Sequence, residues 1–132
     1  MNFDLRNFAE RYTAAWCSQN AASVAAFFAP DGSLTINDGP PSVGRTAIRA
    51  AARGFMSAFP DLKITLDDAA LEGERSIYRW TLEGTNTGPG GTGAHVHISG
   101  YEEWRFGADG LIAASLGHFD AANYQRQLEH RK

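Results

Sequence analysis

The chain holds 132 residues, 43% hydrophobic and 11% aromatic, enough for one compact domain with a core and too apolar for a disordered segment. A formal charge of −3, with acids and bases interspersed, leaves no basic run for nucleic acid or an anionic membrane surface. The lone Cys17 excludes an internal disulfide and any multi-cysteine zinc site.

The opening stretch MNFDLRNFAERYTAAWC carries Asp4, Arg6, Glu10 and Arg11, which is not the apolar run of a secretory leader. No segment reaches the roughly 18–20 apolar residues of a membrane-spanning helix. The expectation is a single soluble, cytoplasmic domain over residues 1–132. Leu5, Phe8, Tyr12 and Trp16 recur at three- and four-residue steps, which predicts a helix over about 2–19. AASVAAFF (21–28) predicts a short second helix, and 33–36 a short strand. Residues 43–59 predict a third helix with the stripe Ile48, Ala52, Phe55 and Phe59, ended by Pro60.

After Pro60 the period changes to two. Leu62, Ile64 and Leu66 alternate with Lys63, Thr65 and Asp67, and Tyr78, Trp80 and Leu82 alternate with Arg79, Thr81 and Glu83. Val96, Ile98, Trp104 and Phe106 alternate with polar neighbours, and LIAASLGHF (111–119) closes the series after a turn at 108–110. Helices followed by antiparallel strands define an α+β domain, its helices packed on one face of a curved sheet.

Between the second and third of these strands lies GTNTGPGGTGAHVH, in which Gly88, Gly90 and Gly93 spell G-x-G-x-x-G. A dinucleotide loop needs a helix opening on its last glycine, whereas AHVHISGYEEWRF alternates as a strand. The stretch therefore reads as a long hairpin connection, and no cofactor is expected. His95 and His97 share one side of a strand, the polar side. No convincing third ligand joins them, so no metal is expected either.

The run SLGHFDAANYQRQL (115–128) carries the chemistry. Counting by twos puts Ile112, Ala114, Leu116, His118 and Asp120 on one face, which would join Glu102 and Trp104 against the helices. An apolar hollow holding two carboxylates and an imidazole suits proton removal from carbon, because burial raises a carboxylate's pKa toward that of a weak carbon acid. Asp120 reads equally as the N-cap of a following helix with Tyr124 and Leu128 four apart. Glu102 reads either as a wall residue or as a rim residue paired to Arg79 or Arg105.

The strings AFPDLKITLDD (58–68), RWTLEGTNTGP (79–89), TGAHVHISGYEEWRF (92–106) and DGLIAASLGHFD (109–120) resemble the SnoaL-like polyketide cyclases. These belong to the nuclear transport factor 2-like, or ketosteroid-isomerase-like, superfamily, and the resemblance runs from about Arg6 to Leu128. It implies an α+β cone around a pocket, dimers through the outer sheet face, and aldol cyclisation or isomerisation of a hydrophobic polyketide-like carbonyl compound without metal or organic cofactor. It also implies Asp120 as general acid and base, with His118, Glu102 or Asn86 at the carbonyl. Tyr12, Trp16, Phe55, Phe59, Trp80, Trp104 and Leu116 complete the expected wall. Ala114 and Leu116 stand where many relatives carry a glutamate and a tryptophan, and Asn86 where a histidine is frequent. The rival reading is a ligand-binding or dimerisation module of the same fold that performs no chemistry.

Overall fold

The computed structural model describes residues 4–129. Its elements run α1 (Leu5–Cys17), α2 (Ala21–Ala25), β1 (Phe28–Ile36), β2 (Ser42–Val43), α3 (Arg45–Ala58), β3 (Lys63–Glu72), β4 (Arg75–Thr85), β5 (His95–Phe106), β6 (Ile112–Phe119) and α4 (Ala121–Glu129). The six strands form one sheet in the order β2-β1-β6-β5-β4-β3. All neighbours are antiparallel except β1 and β6. The α+β class and the mainly antiparallel sheet are those the sequence predicts.

Local chemistry sets the helix ends. Asp4 caps α1 by accepting the Asn7 amide at 3.0 Å, and Asn20 caps α2 through the amides of Ala22 and Ser23. The second helix is shorter than its pattern suggested. It stops at Ala25, and β1 begins already at Phe28, which is fully buried, so the apolar residues that prolonged the helical pattern serve a strand instead. At the far end of α3 the carbonyl of Ala58 has no partner in its own helix. It accepts the Gly88 amide at 3.2 Å and the Asn86 side-chain amide at 3.1 Å.

That contact explains the glycine-rich loop. A Cβ on Gly88 would overlap the Ser57 carbonyl oxygen, and one on Gly91 the Asn86 carbonyl oxygen. Gly90 and Gly93 have φ of 76° and 79°. The glycines let a hairpin connection lie flat on the end of α3.

Helix α1 crosses the inner face of the sheet. Phe8, Tyr12 and Trp16 are buried there with Tyr78, Trp80, Ile98 and Trp104 from the strands. Tyr78 stacks on Trp104 (4.8 Å, 14°), and Tyr12 meets both edge-on at 5.3 and 5.1 Å. This aromatic cluster is the floor on which the site is built.

Candidate functional site

An apolar cavity of about 70 Å³ lies between the sheet and the helices. Trp16 of α1, Phe55 of α3, Tyr78, Trp80 and Leu82 of β4 and Ile98 of β5 are part of its wall. Among the described residues one carboxyl group belongs to the lining, that of Glu102.

Glu102 sits mid-strand on β5, in the even register that faces inward with Val96, Ile98 and Trp104, and is buried. Three donors converge on its Oε1. The Trp104 indole N–H and the Ser115 hydroxyl each donate at 2.8 Å, and the Tyr12 hydroxyl at 3.1 Å. Oε2 has only the same Tyr12 hydroxyl, at 3.3 Å. Burial pushes the Glu102 carboxyl above its ordinary pKa, while hydrogen bonds from Trp104, Ser115 and Tyr12 pull the other way. Tyr12 and Tyr78 are raised as well, chiefly by burial and partly by the negative charge of Glu102, so both phenols stay neutral. The asymmetry has a chemical meaning. A proton on the carboxyl belongs on Oε2, because Oε1 is saturated as an acceptor, and that O–H then needs an acceptor of its own.

The structure corrects the expected orientation of the last strand. β6 pairs Phe106 with Ile112 but Arg105 with Ala114, so Ala113 is an extra residue that shifts the phase. Beyond it the inward residues are Ser115 and Gly117, with Phe119 on the cavity wall, whereas Leu116 and His118 face out. His118 accordingly meets Glu103 at 2.7 Å and stacks on Tyr101 at 4.7 Å, both on the outer face. Asp120 is exposed, and its Oδ1 accepts the Asn123 amide at 3.0 Å as the cap of α4. Among the described residues the hollow thus holds one carboxylate rather than two, and no imidazole.

The remaining expected residues divide into three groups. Trp16, Phe55, Trp80 and Glu102 line the cavity. Tyr12, Phe59 and Trp104 are fully buried behind it, Tyr12 and Trp104 as partners of Glu102. Asn86 lies away from the cavity, where its side chain accepts the Thr92 amide at 2.8 Å and donates to Ala58. Glu102 makes no ion pair with the nearby arginines: Arg79 pairs with Glu72 at 3.3 Å, and Arg105 is exposed. His95 and His97 are exposed on the outer face, His95 3.5 Å from Glu83. Among the described residues no group of three potential ligands is placed to hold a metal ion.

Sequence reasoning passed over Tyr78, Ser115 and Phe119. Tyr78 was visible as an inward member of its alternating run. Ser115 and Phe119 were hidden by the extra residue, although an aromatic side chain at 119 flanked by His118 and Asp120 is itself a signal of the shifted phase.

A helix-backed, strongly apolar hollow with one buried acid defines a small α+β pocket protein. Residues 9–115 match the SnoaL-like domain family, and the chain belongs to that family. No curated protein matches it significantly. Solved structures similar in fold include a protein with a ketosteroid isomerase-like fold from Catenulispora acidiphila in complex with trimethylamine. It is 16% identical with a TM-score of 0.82, over 95% of this chain and 94% of that one. A SnoaL-like polyketide cyclase candidate from Jannaschia sp. CCS1 is 13% identical with a TM-score of 0.76, covering 100% and 99%. TsrD from Streptomyces laurentii is 25% identical with a TM-score of 0.81, covering 96% and 98%. No helix among the described residues is long and apolar enough to cross a membrane.

Proposed function

We propose that the protein takes a hydrophobic carbonyl compound into this cavity and performs cofactor-independent acid–base chemistry on it, an isomerisation or aldol cyclisation, with Glu102 as the proton-bearing group. The observation that carries this reading is a buried carboxyl of raised pKa in an otherwise apolar wall. Its Oε1 is held by three donors, which fixes the group's orientation, and Oε2 is left to meet a substrate oxygen. Ionised, Glu102 takes the proton from the carbon beside the carbonyl; the carboxylic acid so formed hydrogen-bonds the enolate oxygen and then returns the proton to the product. Family membership supports the same class of reaction. Asp120, the acid–base residue implied by the resemblance, keeps its capping role in this reading.

The test is exchange of α-hydrogens for deuterium in a panel of cyclic ketones, followed by NMR in heavy water. Saturable exchange above the buffer rate is expected for the wild type and for Asp120→Asn, and loss of it for Glu102→Gln. Exchange that survives Glu102→Gln removes Glu102 from the chemistry.

A second reading, ligand binding without turnover, draws on the saturation of Oε1, since a carboxyl that ties α1, β5 and β6 together already has a structural task. It predicts thermal stabilisation by apolar molecules and no exchange with any ketone. Homodimerisation through the outer sheet face belongs to the same proposal, and a light-scattering mass near the 14.3 kDa of one chain would refute it.

A further inference from the structure

The cavity is small for the ligand class just assigned to it. Its volume is about 70 Å³, whereas benzene occupies an engineered dry cavity of about 150 Å³. The cavity accommodates a ring-bearing compound only if part of the wall moves. Wall residues that are fully buried are packed on every side and resist displacement. Four lining residues are half-buried: Ile36, Ala51, Phe55 and Phe119. Of these, Phe119 also borders a second, open depression of about 560 Å³, whose walls include Asn37, Ser99, Tyr101 and Asp120.

The backbone under Phe119 is pinned. The Asn37 amide donates to the Gly117 carbonyl at 2.8 Å, and the Asn37 side-chain oxygen accepts the Phe119 amide at 3.0 Å. Asn37 holds φ at 52° to do this, a left-handed conformation that asparagine tolerates better than most residues. Directly opposite stands Gly100. A Cβ there would overlap the His118 carbonyl oxygen and lie 2.6 Å from Cζ2 of Trp80 and 3.0 Å from Cβ of Phe119, so glycine leaves room for the neighbouring strand's backbone as well as for the two rings. The Phe119 ring itself has edge contacts with Trp80 at 6.0 Å and with Tyr124 at 5.5 Å. Tyr124 belongs to α4, a helix with no buried residue.

A fixed pivot carries a ring that borders two hollows and rests partly on a helix whose inner face is only half-buried. We propose that the Phe119 ring is the door between the outer depression and the inner cavity, and that its bulk sets the size of ligand admitted. The proposal rests on the reading that the cavity takes a compact apolar ligand. A door limits entry and exit alike, so its removal changes both rate constants more than their ratio.

The test is stopped-flow binding of two probes, phenol and the larger 2-naphthol. It compares the wild type with Phe119→Ala, Phe119→Leu, Phe119→Trp and the wall control Phe55→Ala. Association and dissociation of phenol are expected to accelerate at least about tenfold in Phe119→Ala, less in Phe119→Leu, and to slow in Phe119→Trp. 2-Naphthol is expected to bind measurably faster once residue 119 is shortened. The leucine variant keeps the comparison available if alanine impairs folding. Phenol binding with rates indifferent to residue 119, or equal acceleration by Phe55→Ala, overturns the door alone. Absence of saturable binding to the wild type and to every folded variant overturns the underlying cavity reading, and the door with it.

Discussion

Replacing Glu102 separates the electrical from the mechanical role of the group. Glu102→Ala removes the acceptor for three donors at once. The two hydroxyls can rotate toward other acceptors, but the Trp104 indole N–H cannot, and one orphaned buried donor costs about 1–3 kcal/mol. Losing one buried methylene adds about 0.8 kcal/mol. The expected destabilisation is about 2–4 kcal/mol. Glu102→Gln keeps the volume and an acceptor at the Oε1 position, and places a donor where the carboxylic proton would sit. It is expected to stay within about 1 kcal/mol of the wild type near pH 4.

The pH dependence follows from the raised pKa of Glu102. Above the unfolded carboxylate value of about 4.3 the native state still holds a proton that the unfolded chain has shed. The wild type therefore loses stability as pH rises from there through the folded pKa, and the loss levels off above it. Glutamine has no proton to lose, so the Gln variant should gain on the wild type over that window. Urea denaturation of the three proteins from pH 4 to 8 measures this directly. If Gln destabilises as much as Ala, or if the Gln variant falls behind the wild type as pH rises, the account of this carboxyl is wrong.

Asp120→Ala should cost about 0.5–2 kcal/mol through loss of the α4 cap, and Asp120→Asn much less, as read by chemical denaturation. Gly88→Ala forces a methyl group into the Ser57 carbonyl and should lower stability by more than about 2 kcal/mol, with the loss of amide protection concentrated at the end of α3. Gln127→Ala should speed hydrogen exchange at the His97 amide, since the Gln127 side chain bonds both the His97 N–H (2.7 Å) and C=O (3.0 Å) where β5 runs past the end of β6.

Much of the fold was legible in the chain. The step of three and four from Leu5 to Trp16 set the buried face of α1, and the even register of β5 set which of its residues face inward. Both patterns are local and survive folding because their backbone period is unbroken. Glu102 was legible for the same reason, as a charged residue within an apolar register. Asn86 was not, because its partners Ala58 and Thr92 are joined by loop geometry that no period encodes.

The phase of β6 belongs to the tertiary structure. Counting from Ile112 sends Leu116, His118 and Asp120 inward, but one additional residue at Ala113 reverses every position after it. Ser115 then reaches Glu102, and His118 reaches Glu103. A bulge carries no residue signature of its own; it forms where a strand must bend to keep pairing with a neighbour already fixed. The sequence by itself determined the order of the helices and the longer strands, though not the short β2, and an apolar hollow with an acid in its wall. Only the folded sheet decided which acid, because a side-chain period of two turns a single inserted residue into a change of face.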